Sequence, residues 1–333
     1  MRKLIKELRK LKGQDVLVLT HDSPDGDAMG STVAMGWLLR EAGARPLLVH
    51  KEQIPEKYRF LVGGLPLFPL QELTEEQKLR EFTVFILDSA LADRVGFPFR
   101  EAFPRSGRVY NIDHHISNSN FGDENWVYPG KAATSEIVGD LYLEMFPPIR
   151  PEAATALYTG VMTDTGNLTY QSTTSATVAL VSILLDMGAD FNTVRRRLHE
   201  SETMNQMAGV RHILNEMKQA EEGYVVYTSL PYEVVKDYSL TSGDTENYVE
   251  YPRKVDTCEI AILFKEMEKD VIRVSIRTKG EIDANALASA FGGGGHTRAA
   301  GFRVSRPMEE ARAYVLDRIG KGLAAHEWAD RRL

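Results

Sequence analysis

Cysteine is almost absent: Cys258 is the only one in 333 residues. A lone cysteine excludes an internal disulfide and a thiolate zinc cage, and its setting in the apolar run Thr257 to Lys265 reads as a small core residue rather than a nucleophile. Excess positive charge is also absent. With 40 Lys and Arg against 47 Asp and Glu, the formal net charge is -7. That excludes the broad basic footprint needed for long DNA or RNA, so an anionic substrate has to be met locally. No apolar run approaches the roughly 20 residues of a membrane-spanning helix, and the start of the chain carries no charged-then-apolar leader. The expectation is a cytoplasmic protein with no membrane partner. Met1 to Lys12 is basic and amphipathic, and reads as a first helix over the edge of a sheet rather than as a membrane-surface helix. Internal repeats and low-complexity tracts are missing too.

What the chain does have is an apolar content, 43%, sufficient for two ordinary domains. From Asp15 to about Asp190, short apolar runs alternate with helical stretches, the pattern of βαβ units and a parallel sheet. The runs are Asp15 to Thr20, Pro46 to His50, Phe82 to Leu87 and Arg108 to Ile112. Helices are expected over Ala28 to Ala42, Ala132 to Met145 and Pro151 to Thr163, the last opened by its proline. Between Asp190 and Gln219 the chain is polar and charged, with Arg195, Arg196 and Arg197 in a row on what reads as the solvated face of one linker helix. Beyond it, Gly223 to Leu230, Thr257 to Lys265 and Val271 to Arg277 are rich in β-formers and Asp283 to Phe291 is helical. The expected fold is α/β: an N-terminal, mostly parallel sheet with helices on both faces (1–190), a linker helix (191–219) and a smaller C-terminal α+β domain (220–333), with the active-site cleft between the two domains.

The informative stretch is His21-Asp22-Ser23-Pro24-Asp25-Gly26-Asp27-Ala28-Met29-Gly30-Ser31. It follows the first strand and opens a helix, which places it at the carboxyl end of a strand, where open α/β sheets bind ligands. His21, Asp25 and Asp27 bring one imidazole and two carboxylates into one loop, with Gly26 expected to let the backbone turn between them. A DxD in such a place is also a common helix N-cap. Asp88, His114 and Asp164 each follow an element aimed the same way, Asp164 just past its helix. Four carboxylates and two imidazoles suit a pair of divalent cations of the Mn²⁺ or Mg²⁺ type. Two such ions generate a nucleophile at neutral pH and neutralise a phosphoryl transition state. His50, His199, His212 and His326 have no ligand-spaced neighbours and read as surface or boundary residues.

The second informative stretch is Phe291 to Phe302. Its four consecutive glycines suggest backbone approaching a ligand rather than packing, with His296 and Arg298 directly beyond, and an anion or nucleotide is the natural partner. Ser275 and Arg277 share one face of the strand before it, where an arginine can take a phosphate bidentately. Tyr248 and Tyr251 are loop aromatics of the kind that stack on bases, although such residues are more often packed.

HDSPDGDAMGS, the ILDSA around Asp88, the NIDHH around Asp113 to His115 and the MTDTG around Asp164 resemble the four ordered motifs of the DHH phosphoesterase superfamily. FGGGGHTRAAGF and Ser275 to Arg277 resemble that superfamily's associated C-terminal domain, and the compact two-domain chain is similar to the NrnA-type oligoribonucleases. The resemblance implies one metal held by His21, Asp25 and Asp88 and a second by Asp27, Asp88, His114 and Asp164, with Asp88 shared and Mn²⁺ the expected ion. It implies that Asp113 lies behind the ligands and His115 meets the substrate phosphate, giving Asp88, Asp113 and His115 the catalytic work. Ser275, Arg277, Gly293, Gly294, Gly295, His296 and Arg298 would bind substrate. The implied activity is hydrolysis of short RNA oligomers to mononucleotides and dephosphorylation of 3′-phosphoadenosine 5′-phosphate. Cyclic or linear dinucleotides are the alternative substrates, and a metal-loaded nucleotide-binding module without turnover is the alternative of another class. Oligomeric state is left open, a homodimer included.

Overall fold

The computed structural model describes residues 2–280, 282–295, 297–325 and 327–328. His296 and His326 therefore lie outside the described residues. The chain divides into two compact units at Ser201/Glu202.

The first unit is built on six strands, β1 (Asp15–Leu19), β2 (Arg45–His50), β3 (Leu67–Pro69), β4 (Phe82–Leu87), β5 (Ser106–Asp113) and β6 (Glu124–Val127). They pair in the order β3-β2-β1-β4-β5-β6, and every pairing is parallel. The central strands read as continuous apolar runs because both faces are covered. On one face, Leu4, Met29, Leu38, Val138 and Leu157 of the helices Arg2–Arg9, Gly26–Glu41, Thr134–Met145 and Pro151–Asp164 pack with Val18, Phe85 and Ile112. On the other, Leu17, Leu19, Val84 and Ile86 lie under Leu73, Phe99 and Phe103. The helix Gly26–Glu41 buries every residue from Gly26 to Leu39, as expected of a helix apolar all round and sunk in a core. Two strands had no readable pattern: β3 is three residues ending on a proline, and β6 is the polar edge segment ENWV with only Trp126 buried.

The sheet order reverses between β1 and β4, and a doubly wound sheet opens a crevice at the carboxyl ends of the strands there. His21 follows β1 and Asp88 follows β4, so the topology brings them to one place.

The second unit has the sheet β11-β12-β10-β9-β8-β7, from β7 (Lys218–Ala220), β8 (Val225–Leu230), β9 (Ile260–Glu268), β10 (Val271–Thr278), β11 (Gly294–Gly295) and β12 (Ala299–Ser305). Only β8 and β9 run parallel. The helices Ala284–Ser289 and Met308–Ala324 bury one face, against Ile272, Val274, Ile276 and Phe302. On the other face, Val210, Ile213, Val235, Tyr248, Val249 and Cys258 cover β8 and β9.

The expected linker helix is two helices. Phe191–His199 packs Val194 and Leu198 into the core of the first unit. Met204–Asn215 buries Val210 and Ile213 in the second. The break is encoded at Thr203, whose side chain caps the second helix in a capping box with Gln206. Among the described residues no single helix is long and apolar enough to cross a membrane.

Candidate metal centre

Six side chains from five elements meet at the carboxyl end of the first sheet. Thr20 Oγ1 donates to Leu87 O at 2.9 Å, tying the end of β1 to the end of β4. His21 follows, and its Nε2 lies 3.7 Å from Asp88 Oδ2. Asp25 is the N-cap of the helix Gly26–Glu41, its Oδ1 accepting from Asp27 N and Ala28 N, both at 3.0 Å. Capping and metal ligation are therefore compatible in Asp25, since one oxygen serves the helix. Gly26 does not provide a turn. It is the first helical residue, and a Cβ there would run into the side chain of Thr163.

Asp27 is fully buried and is held from behind by the start of another helix: Thr134 N donates to its Oδ2 at 2.6 Å and Ser135 N to its Oδ1 at 2.8 Å. Helix N-termini bind anions in this way. Asp88 closes β4 with a positive φ of 54°, a conformation that aspartate tolerates better than most residues, and Thr134 Oγ1 donates to its Oδ1 at 3.0 Å. His114 Nε2 lies 3.7 Å from Asp88 Oδ1 and 3.1 Å from Asp164 Oδ2. Asp164 is the last residue of its helix rather than the first beyond it. His21, Asp25 and Asp88 form one group of potential ligands, Asp27, His114 and Asp164 a second, and Asp88, His114 and His115 a third; in each group the donor atoms lie within 4.8 Å of one another.

Asp113, fully buried, organises the pair beside it. Its Oδ1 accepts from His115 Nδ1 at 2.6 Å and from His114 N at 2.8 Å, and its Oδ2 from Asn118 Nδ2 at 2.6 Å. His50 is not the surface or boundary residue expected of it. It is 2% exposed, with Nε2 3.2 Å from His21 O and Nδ1 3.0 Å from Glu52 O, and so supports the backbone of the first potential ligand. Its place at the end of β2, the strand beside β1, was the available signal. Thr134 had none: a threonine opening a helix looks like an ordinary helix start.

The electrostatics fit cations. Burial, and then the charges of Asp88 and Asp164, push the Asp25 carboxyl up to about 6 and Asp27 well above the usual range. Burial also penalises the Asp88 carboxylate, but its bond with His21 and the rings of His114 and His115 outweigh that and hold it low. Burial disfavours charge on His114, yet Asp164, Asp88 and Asp27 raise it well above its ordinary value; His21 is raised likewise by Asp88 and Asp25. Four carboxylates that repel one another across so short a span, with only imidazoles between them, are the hard oxygen and nitrogen donors that divalent cations require.

The profile described as "DHH family, N-terminal domain" matches residues 15–161, and that of the DHHA1 domain matches residues 222–321. A Thermus thermophilus protein named bifunctional oligoribonuclease and PAP phosphatase NrnA is 30% identical over 325 residues, 96% of this chain and 94% of that one. The chain belongs to the DHH phosphoesterase family. The NrnA of Bacillus subtilis, with the same descriptive name, is 26% identical across 88% of this DHH chain and 91% of its own. The crystal structure of an exopolyphosphatase-related protein from Bacteroides fragilis superposes with a TM-score of 0.85 at 26% identity, covering 95% of this chain and 94% of that one.

In the DHHA1 domain of this DHH protein, Ser275 and Arg277 lie half-buried on the face of β10 opposite Ile272, Val274 and Ile276. Arg277 is already engaged: its Nε donates to Glu250 Oε1 at 3.0 Å and its Nη1 to Ile276 O at 3.0 Å, while Arg253 holds the other oxygen of Glu250. The glycine run does serve close approach, but largely to its own sheet. Gly294 and Gly295 pair with Gly301 and Ala300, and a Cβ on Gly293 or Gly295 would strike Phe302 or Ala300 of β12. Arg298 Nη1 donates to Ile282 O at 2.7 Å, so one end of its guanidinium braces the chain before the helix Ala284–Ser289.

Proposed function

We propose that this protein hydrolyses short oligoribonucleotides to mononucleotides and removes phosphate from 3′-phosphoadenosine 5′-phosphate, using two divalent cations, Mn²⁺ in the first place. The single observation that supports this most is the position of Asp88, with one oxygen 3.7 Å from His21 Nε2 and the other 3.7 Å from His114 Nε2. A carboxylate so placed suits a ligand shared between two ions. In this reading His21, Asp25 and Asp88 hold one cation, and Asp27, Asp88, His114 and Asp164 the other. Divalent cations in such a site supply charge neutralisation for the phosphoryl group and a nucleophile at neutral pH.

The chain's own groups do the rest. His115 Nδ1 donates to Asp113, which orients the ring and leaves Nε2 as the nitrogen turned away from that carboxylate. When the ring carries both protons that nitrogen is a donor too, and it is assigned to a phosphate oxygen as negative charge develops. Ser275, Arg277, Gly293, Gly294, Gly295 and Arg298 are assigned to the rest of the nucleotide, Arg277 through Nη2, which makes neither of its two bonds. His296, outside the described residues, is assigned with them. The cytoplasm is the proposed place of action.

The test is a substrate panel with Mn²⁺: 3′-phosphoadenosine 5′-phosphate, 5′-phosphorylated dinucleotides and pentanucleotides, cyclic dinucleotides and inorganic tripolyphosphate, compared by kcat/KM. Highest values on the dinucleotide and the 3′,5′-bisphosphate support the reading. A cyclic dinucleotide or tripolyphosphate preferred over both overturns the substrate. Asp88→Ala retaining near wild-type turnover overturns the mechanism.

A further inference from the structure

Three cationic side chains stand in one row across the sheet of the second unit. Arg273 on β10 is directly opposite Lys265 on β9 and Arg303 on β12. Directly opposed residues of antiparallel strands share a face, and like charges in such pairs oppose sheet formation. No ion pair offsets this: among the described residues no carboxylate bridges to Lys265, Arg273 or Arg303. Lys265 is 5% exposed, and its Nζ bonds only neutral oxygens, Thr245 Oγ1 at 2.8 Å and Ser242 O at 3.5 Å. Burial and then Arg273 push its ammonium down to about 8, with Glu246 acting the other way. Arg273 Nη1 donates to Ser242 Oγ at 3.2 Å, and Arg303 is exposed. Arg277, two rows along the same face, contrasts with this, because Glu250 already neutralises it.

The row between them holds Ser275 opposite Gly301. On the β12 side a glycine leaves no side chain beside the serine hydroxyl, although Leu263 of β9 lies opposite it on the other side, so Ser275 and Gly301 form a shallow floor between the cationic row and Arg277. Same-face positions on a strand are about 7 Å apart, comparable to the step between successive phosphates of an extended nucleic-acid strand. A buried ammonium and two guanidiniums without paired acids need an anion to offset their repulsion, and charge-assisted bonds to phosphate oxygens offset it best.

We propose that Lys265, Arg273 and Arg303 form a second phosphate subsite, which holds a backbone phosphate of oligoribonucleotides longer than two residues. It rests on the reading that the chain takes short RNA, and it deepens that reading by making length preference a property of this row.

The test compares 5′-phosphorylated di- and pentanucleotides by calorimetric titration in EDTA, where no turnover occurs. Arg303→Ala is an exposed substitution that leaves the fold intact, and Arg273→Ala is its partner. In each the pentanucleotide Kd is expected to weaken about tenfold, as for removal of one charge-assisted bond to phosphate, and at least five times more than the dinucleotide Kd. The slope of log Kd against log salt for the pentanucleotide is expected to fall by about 0.7 for each phosphate no longer neutralised. Equal weakening at both lengths, or none at either, overturns the subsite. Failure of the hydrolase reading shows separately: wild-type protein that binds by length yet cleaves neither nucleotide with Mn²⁺ removes the activity and leaves the subsite standing.

Discussion

Thr134 Oγ1 donates to Asp88 Oδ1 at 3.0 Å, while the backbone N–H of the same threonine donates to Asp27 Oδ2 at 2.6 Å. One residue thus orients two carboxylates that belong to different ligand groups, and Lys131 O, three residues earlier, lies 3.3 Å from His114 Nδ1. The start of the helix Thr134–Met145 works as a frame for the centre. Thr134→Val keeps the shape and the backbone bond but deletes the hydroxyl. Loss of a partner behind a ligand typically costs 10–100-fold in metal affinity or activity, so about tenfold weaker Mn²⁺ binding by calorimetry is expected. Thr134→Ser, which keeps the hydroxyl, should restore most of it. Equal affinities in Val and Ser variants would remove the hydroxyl from the argument.

Asp113 tests a different link. It is buried beneath His115, and its only side-chain bond within the three groups of potential ligands is to His115, its other bond there being from the backbone N–H of His114. Asp113→Asn keeps the volume but replaces the carboxylate that holds His115 Nδ1–H. Turnover of a dinucleotide is expected to fall roughly 10–100-fold through kcat, with KM moving far less. A fall seen only in KM would place His115 in ground-state binding instead.

Much of the candidate centre was legible because several expected ligands follow an apolar run short enough to be a strand or close an apolar helix: His21 just after DVLVL and Thr20, Asp88 after FTVFIL, His114 after RVYNID and Asp164 at the end of its helix, while Asp25 and Asp27 come in the loop and helix start that follow His21. Strands of a parallel sheet announce themselves by burial on both faces, and their carboxyl ends converge by topology. What stayed hidden was carried by tertiary position. The amides that hold Asp27 come from 107 and 108 residues away, and a backbone N–H has no sequence signature. His50 has an ordinary context in the chain and becomes important only because β2 lies beside β1. The division between the units was blurred by polarity: Val194 with Leu198, and Val210 with Ile213, are sparse apolar anchors in otherwise polar helices and commit those helices to different cores. The glycine run misled in part, since a missing side chain is equally useful for pressing one strand against another.

Gly160 carries a prediction of its own. It sits in the helix Pro151–Asp164 where a Cβ would collide with Ser135 Oγ and come within 2.8 Å of Asp27 Oδ1. Gly160→Ala improves helix propensity by up to about 1 kcal/mol, but overpacking a tight contact costs about 1–3 kcal/mol. The clash falls on Asp27, a potential ligand, and on Ser135, whose amide holds it. Net loss of thermal stability together with weakened Mn²⁺ binding is expected, measured by melting with and without metal. A stabilised variant with normal metal affinity would show that the helices can separate freely at this point.

The last prediction concerns pH and metal together. The Asp25 carboxyl is raised to about 6 and Asp27 well above its ordinary range, against about 4 in an unfolded chain. A carboxyl with a higher pKa folded than unfolded contributes stability that is full below about pH 4 and lost as pH rises through the folded value. The raised His21 and His114 act in the same direction, their contribution being lost as pH climbs beyond their folded values. Asp88, held low, has the opposite sign, but its contribution is already complete above the ordinary carboxylate range and stays constant there. Metal-free protein is therefore expected to lose stability between about pH 5 and pH 8, as uncompensated charge accumulates at the carboxyl end of the sheet. Bound cations take the place of the protons, so the difference in Tm between Mn²⁺-loaded and EDTA-treated protein should widen steadily over that interval. Asp25→Asn should narrow it, because the amide has no proton to lose. A difference in Tm that is flat from pH 5 to pH 8 would mean that the carboxylates are neutralised by some group other than the cations.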